Sequence, residues 1–381
     1  MTVAALLSGR TESGARFFEE SATGLSRVCH RMAERFARGG RLIAFGRSPA
    51  ARSDARHVAV EFVHPVIVGK RALPAIGLAG EGGDIAGQVA LIAAPDDIAM
   101  GFGADCEDAV AVARRRGCLT IAFAPAGAEW EFEPPTDDPY VRQELIETLY
   151  HVLWELVHVF FEHRGLLEGR SQRPVHDAGA SSFLYPFLDE RESDLDAVLE
   201  DVRRSVLMKA DEVAALREQT LTDNAGVLVD AAAAARRSFD GGGKLLALGN
   251  GGSATDAMDV VADLRARGRA AIDLTEDPGI LTAIANDIGV EAIFSRQVIA
   301  YGTTGDVVLA LSTSGNSGNV LHALAEARRR GLVTIALVGY DGGRVASERL
   351  ADHVVVTRSE HIPRIQEAQA SAYHALVELA G

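Results

Sequence analysis

The chain has 381 residues, 38 Lys and Arg against 53 Asp and Glu, and a formal net charge of −15 with 48% hydrophobic content. That length accommodates two domains of ordinary size, and the balance of apolar and charged residues is that of a soluble globular protein rather than a disordered one. Acidic residues spread along both halves exclude the clustered basic patch of a nucleic-acid binder, whereas a phosphorylated metabolite stays admissible because backbone N–H groups and hydroxyls hold phosphate without lysines.

The N-terminal stretch MTVAALLSGRTESGARFF lacks a basic region followed by a continuous apolar run. No other stretch approaches the roughly 18 apolar residues of a membrane span, so the cytoplasm is the default compartment. A helix is predicted over roughly 11–37, closing in MAERFARGG before the strand LIAFG (42–46). The next loop, RSPAARSDA, has no glycine; it leads into RHVAVEF, where His57 and Glu61 stand at i, i+4 on one helical face. VALIAAP reads as the following strand, and the loop LIAAPDDIAMGFGAD (91–105) carries Asp96 and Asp97. A helix ending in ARRRG and the strand LTIAFAP follow. A closing helix over VRQELIETLYHVLWELV (141–157) sets Gln143 and His151 eight residues apart. Eight residues turn a helix about 80° beyond two full turns, so both can address one site. Trp130, Trp154 and the Phe160–Phe161 pair read as packing residues, and Cys29, Cys106 and Cys118, which lack metal-type spacing, as buried reduced thiols.

Residues 164–194, with Pro174 and Pro186, read as a linker ordered in part by Phe183, Leu184, Tyr185 and Phe187; the acidic run DERESDLD (189–196) reads as a solvated helix start. Then the pattern repeats. A helical region over 191–238 leads into ARRSFDGGGKLLALG (235–249), which matches MAERFARGGRLIAFG (32–46). AVARRRGCLTIAFA (111–124) matches ALAEARRRGLVTIALV (323–338), and the closing helix at 141–157 matches PRIQEAQASAYHALVEL (363–379). The second half alternates the strands LLALGN, AIDLT, VVLALST, TIALVG and HVVVT with helical segments. Alternation of this kind in both halves predicts two three-layer α/β/α domains with mostly parallel sheets, flavodoxin-like or Rossmann-like in topology. The expected division is 1–163, a linker at 164–190, and 191–381.

Two loops of the second half carry chemistry that the first half lacks. GNGGSATDA (249–257) is glycine-rich and opens a helix, whose N-terminus offers unpaired N–H groups and a positive dipole end. VVLALSTSGNSGNV (307–320) places Ser312, Thr313, Ser314, Asn316 and Ser317 between a buried strand and the next helix, more hydroxyls than a helix cap needs and suited to a phosphate monoester. The first half has Asp96 and Asp97 in its second loop, which would repel a phosphate.

The motifs GNGGSATDA, DLTEDPGILTAIANDIGVEAIFSRQV (273–298), STSGNSGNV and RIQEAQASAYH (364–374) make the second half, over about 235–379, resemble a sugar isomerase (SIS) domain of the phosphoheptose isomerase group. The resemblance implies isomerisation of sedoheptulose 7-phosphate to D-glycero-D-manno-heptose 7-phosphate through an enediol. It implies substrate contacts from Asn250, Gly251, Gly252, Ser253, Asn286, Asp287, Ser312, Thr313, Ser314, Ser317 and Gln366. It also implies a divalent metal, zinc as first choice, on a His-x-x-x-Glu pair and a Gln/His pair eight apart. The second half keeps Gln366 and His374 but carries Asp259 and Asp263 at the first pair. The first half has all four, as His57, Glu61, Gln143 and His151.

The leading expectation is therefore a division of labour: the second half binds the sugar phosphate, and the first contributes the metal with Glu61 and His151 as base and acid. The alternative keeps the metal and the chemistry in the second half, with Asp259, Asp263, Gln366 and His374 as metal set and Asp263 and His374 as catalytic pair. A third reading is a non-catalytic sugar-phosphate sensor or protein-binding module. The expected partners are the sugar phosphate and a second copy of the chain, giving a homodimer with four SIS units, and neither nucleic acid nor membrane.

Overall fold

The computed structural model describes residues 3–66, 70–79, 83–162 and 194–381. The expected linker at 164–190, with Pro174, Phe183, Leu184, Tyr185, Pro186 and Phe187, lies outside the described residues, as does the start of the acidic run at 189–196. The chain divides into two compact units, one of Glu12–Asp211 and one of Met1–Thr11 with Glu212–Gly381. The described part of each is treated by itself below.

The first unit contains most of α1 (Val3–Ala37), then β1 (Leu42–Gly46), α2 (Pro49–Val63), β2 (Ala75–Leu78), α3 (Ile85–Ile92), β3 (Ile98–Phe102), α4 (Glu107–Arg115), β4 (Leu119–Ala122), β5 (Trp130–Glu131) and α5 (Pro139–Glu162). Its five strands are all parallel in the order β2-β1-β3-β4-β5. The central strands LIAFG, IAMGF and LTIA are buried at every residue, as expected of parallel strands covered on both faces. Trp154 and Phe160 are fully buried in the main core. That core also takes Val198, Val202 and Val206 from the start of α6 (Leu195–Asp223), so the division between units falls within this helix. Cys29, Cys106 and Cys118 are free and buried.

One predicted strand is corrected. VALI of VALIAAP is the last turn of α3, and the strand is Ile98–Phe102. A short apolar run has no period that separates a buried helix from a buried strand, and this one is helix. Asp96 and Asp97 therefore precede β3 instead of following it, at the opposite end of the strand from any phosphate loop.

The second unit comprises the remainder of α6, α7 (Ala225–Asp240), β6 (Leu245–Leu248), α8 (Gly252–Ala266), β7 (Ala271–Asp273), α9 (Pro278–Asp287), α10 (Ser295–Tyr301), β8 (Val307–Ser312), α11 (Gly318–Arg329), β9 (Val333–Gly339), α12 (Gly343–Ser347), β10 (His353–Thr357) and α13 (Ile362–Ala380). All five predicted strands are present and parallel, in the order β10-β9-β8-β6-β7. Counted from each unit's first strand, both sheets have the doubly wound order 2-1-3-4-5. The helical region expected over 191–238 is two helices, because Asn224 between α6 and α7 gives its amide to β10. Its Nδ2 donates to Val356 O at 3.0 Å, and its Oδ1 accepts from Val356 N at 3.0 Å. Among the described residues no helix is long and apolar enough to cross a membrane.

The repeat extends to individual polar contacts. The residue before each unit's first strand is basic and meets an aspartate just before its central strand. In the first unit Arg41 N donates to Asp97 Oδ1 at 2.8 Å, Arg41 Nη2 to Oδ2 at 2.7 Å, and Ala94 N to Oδ2 at 2.9 Å. In the second, Lys244 N donates to Asp306 Oδ1 at 3.0 Å, Lys244 Nζ to Oδ2 at 2.6 Å, and Thr303 N to Oδ2 at 2.8 Å. Burial alone would raise both carboxyls, but the basic side chains and backbone donors outweigh it and hold both below the usual carboxylate range. A carboxyl depressed by folding stabilises above its unfolded pKa, and that contribution fades as pH falls through the folded value. Asp97→Ala and Asp306→Ala are each expected to cost about 2–3 kcal/mol at pH 7. The deficit, read by thermal melts, should shrink as pH falls below about 4; a constant deficit down to pH ~2 would contradict the charge account.

Candidate functional site

In a 2-1-3-4-5 sheet, ligands bind beyond the C-terminal ends of the strands where the strand order reverses. In the second unit this switch point lies between β6 and β8, and the two loops singled out in the sequence follow those two strands. Gly251, at the N-cap of α8, has φ 58° and ψ −126°, a conformation that favours glycine. Gly315 has φ 62°, and a Cβ there would lie 2.4 Å from Gly342 O, so the serine loop also turns on a glycine. The loops are tied by a reciprocal amide pair: Asn250 Nδ2 donates to Asn319 Oδ1 at 3.0 Å, and Asn319 Nδ2 donates to Asn250 Oδ1 at 2.9 Å. Asn319 escaped the sequence reading, which looked in the second loop for hydroxyls.

Ser312 Oγ accepts from Gly315 N and Ser314 Oγ accepts from Asn316 N, both at 3.2 Å, which leaves each O–H able to donate outward. Ser317 is the N-cap of α11 but makes no side-chain capping bond, so its hydroxyl is not used by the helix. Thr313, Ser314 and Ser317 are half-buried, while Ser253 is buried at the start of α8. The cradle thus combines half-buried hydroxyls with two helix N-termini, an arrangement that attracts an anion.

Other predicted contacts are placed differently. Asn286 and Asp287 are exposed at the end of α9 and bonded to each other at 2.8 Å. Gln366 is buried on α13, and its Oε1 has no hydrogen-bond partner.

At the matching switch point of the first unit the cradle is replaced. Ser48 Oγ caps α2 by accepting from Ala51 N, and Pro49 begins the helix. Arg47 donates to Asp105 O and pairs with Asp108 at 2.8 Å, so the loops after β1 and β3 are joined by charge. The acidic residue that follows β3 is Asp105, not Asp96 or Asp97.

Deeper in the first unit, α2 packs on α5 and brings chemistry-bearing side chains together. His57 Nε2 and His151 Nε2 lie 3.4 Å apart, and ligand atoms of His57, Glu147 and His151 are all within 4.8 Å of one another. Among the described residues this is the one group of three or more His, Cys, Asp or Glu gathered so closely. All three are at most 2% exposed. Burial, and then the neighbouring His151, push the His57 imidazole well below its usual pKa and keep it neutral, the form that coordinates a metal. Tyr150 packs edge-on against both imidazoles, with centroids 5.4 Å from His57 and 5.1 Å from His151. Glu61 Oε1 is 3.9 Å from His57 Nε2. Gln143, one turn before Glu147, is buried, and its Nε2 has no hydrogen-bond partner. This donor set suits a borderline divalent cation such as zinc. Glu147 was missed, although Gln143, Glu147 and His151 at i, i+4 and i+8 share one stripe of the helix.

The SIS domain family matches residues 210–339. The phosphoheptose isomerase of Pelodictyon phaeoclathratiforme is 41% identical over 175 residues, 44% of this chain and 82% of that protein. That of Geobacter sulfurreducens is 48% identical over 148 residues, 37% of this chain and 77% of that protein. The chain belongs to the SIS-domain family. Among solved structures, the C-terminal domain of glucosamine-fructose-6-phosphate aminotransferase from Francisella tularensis has a TM-score of 0.63 at 10% identity, covering 100% of this chain and 95% of that one. A putative phosphosugar isomerase from Silicibacter pomeroyi has a TM-score of 0.54 at 12% identity, covering 99% and 97%. At such identities these two show the fold alone.

In the second SIS unit α8 packs on α13, and His374 Nε2 stands 3.7 Å from Asp263 Oδ2. Burial raises the Asp263 carboxyl, and the opposing pulls of His374 and Arg267 are smaller. Asp259 is buried on the same face of α8, one turn before Asp263. Asp259, Asp263 and His374 are not gathered as a three-ligand group in the way that His57, Glu147 and His151 are. Within the second quartet the close pair is Asp263 and His374.

Proposed function

We propose that the chain is an aldose–ketose isomerase for a sugar phosphate, with the substrate held in the second SIS unit. Sedoheptulose 7-phosphate and D-glycero-D-manno-heptose 7-phosphate are the favoured pair. The observation that carries this reading is the amide-locked pair of loops at the switch point, in a chain 41–48% identical over part of its length to phosphoheptose isomerases. In this reading Ser312, Thr313, Ser314 and Ser317 with the N-terminus of α11 hold the phosphate. Asn250, Gly251, Gly252 and Ser253 take the polyol, with Asn286, Asp287 and Gln366 as further contacts.

Isomerisation removes a proton from the hydroxyl-bearing carbon beside the carbonyl and protonates the carbonyl oxygen to give an enediol; the original hydroxyl then loses its proton to become the new carbonyl as the former carbonyl carbon takes one up. Asp263 and His374 are the pair in the same unit as the loops. A carboxylate whose pKa is raised by burial is a stronger base at neutral pH, and the imidazole beside it supplies the proton for oxygen. Glu61 and His151 are the competing pair, in the first unit. A divalent metal held by His57, His151 and their carboxylate neighbour would supply Lewis-acid chemistry.

The test is conversion of a panel of ketose and aldose phosphates by the purified full chain. Turnover of the heptose pair above hexose and pentose phosphates is expected. A second reading, a sugar-phosphate sensor, is favoured by Asp259 and Asp263 standing where the resemblance expects His and Glu. Tight binding without conversion of any member of the panel would replace the isomerase with that sensor.

A further inference from the structure

The family resemblance assigns the carboxylate of the first unit's metal set to Glu61 on α2, but the atoms gathered there give a different set. We propose that the first unit holds a divalent metal through His57 Nε2, His151 Nε2 and a carboxylate oxygen of Glu147, so that the closing helix α5 supplies two ligands and α2 one. This assignment stands apart from the substrate reading, because it concerns the first unit and is read by metal binding rather than turnover.

Three observations support it. The two imidazole nitrogens are 3.4 Å apart. A tetrahedral zinc with Zn–N bonds of 2.0–2.1 Å sets its ligand nitrogens about 3.3 Å from each other. The imidazoles are therefore already spaced as neighbouring ligands. Second, it is Glu147, and not Glu61, that belongs to the mutually close set with both histidines. The Glu61 oxygen lies 3.9 Å from His57 Nε2 and is not part of that set.

Third, the tandem repeat provides an internal comparison. Setting the Gln/His pairs of the two closing helices in register places Gln143, Tyr150 and His151 on Gln366, Tyr373 and His374, one residue along from the coarser match above, and Glu147 then falls on Ala370. Ala370 is fully buried, so the fold accepts a methyl group at this position. Glu147 is 2% exposed at the equivalent place. The copy with Ala370 also has Asp259 where the first copy has His57. The histidine and the glutamate are present together in one copy and absent together from the other, as two ligands of one ion would be. Two imidazoles and one carboxylate select zinc or a similar first-row ion over magnesium or calcium. Gln143, a turn earlier on α5, is placed to offer its amide oxygen as a further donor once its side chain is flipped.

The experiment uses the full chain stripped with a chelator and titrated with Zn²⁺ by calorimetry and with Co²⁺ by its visible d–d absorption. His57→Ala gives the reference for loss of the site. Glu147→Gln is expected to weaken binding by more than the roughly 100-fold that a residue outside the ligand set costs, and to change the cobalt spectrum. Glu61→Gln should weaken binding by no more than the roughly 100-fold of a residue outside the ligand set, with the spectrum kept. Glu147→Ala, the residue that the second copy tolerates, repeats the measurement if the glutamine variant does not fold, and thermal melts of the stripped proteins control for folding. Loss of binding in Glu61→Gln with binding kept in Glu147→Gln would overturn the assignment. So would a wild-type chain that binds neither ion.

Discussion

Ser314→Ala and Ser317→Ala are each expected to raise KM for a heptose phosphate by about 10–100-fold while leaving thermal stability within about 0.5 kcal/mol of the wild type. A hydrogen bond to a charged phosphate contributes about 1.5–3 kcal/mol, and each substitution removes one such donor. The selectivity rests on what these hydroxyls do in the free protein. Ser317 makes no capping bond to α11, and Ser314 accepts only from the exposed Asn316 N. Ser312 differs, since its Oγ accepts from Gly315 N in the positive-φ turn at a buried position. Ser312→Ala should therefore lower both affinity and melting temperature. Steady-state kinetics on the three variants beside thermal melts separates the two effects. Unchanged KM in both Ser314→Ala and Ser317→Ala would place the phosphate elsewhere.

Asp263→Asn is expected to lower kcat by about 10²–10⁴-fold, the range of a positioned general base, with KM nearly unchanged. The amide is close in size to the carboxylate and cannot take the proton. Burial raises this carboxyl, so its ionised form is the costly one in the folded protein. A carboxyl raised by folding stabilises most below its unfolded pKa, and that contribution is lost as pH rises through the folded value. The asparagine variant should thus lose activity without losing stability at neutral or higher pH. Glu61→Gln, measured alongside, compares the two units. A collapse of kcat in Glu61→Gln with full activity in Asp263→Asn would move the base to the first unit.

How much of this was legible beforehand differs between the two copies for a physical reason. The second copy's strand VVLALST is bounded by Gly, Ser and Thr turns and HVVVT is a β-branched run, and their identity as strands followed from those features. The first copy's VALIAAP has the same apolar content without a period, and it folded as the end of α3. That one reversal displaced Asp96 and Asp97 to the wrong end of β3 and hid the role of Asp97, which anchors Arg41. The site was legible where motifs are contiguous, as at 249–253 and 312–317. It was less legible where partners meet only after folding. The Asn250–Asn319 pair joins residues 69 positions apart, and the His57–His151 approach spans 94. Glu147 was visible as one more residue on the stripe of Gln143 and His151. Its proximity to His57 depends on how α2 packs against α5, which no pattern along one helix contains.

In the proposed reaction a sugar phosphate seated on the Ser312–Ser317 and Asn250–Ser253 loops undergoes proton exchange beside its carbonyl. The most direct measurement follows deuterium incorporation from D₂O into sedoheptulose 7-phosphate by NMR, with the wild-type chain and with Ser314→Ala at a fixed sub-saturating concentration. Exchange is expected at the carbon next to the carbonyl with wild type, slowed at least about 10-fold in the variant. Sedoheptulose 7-phosphate that binds the wild-type chain and remains fully protonated would contradict it.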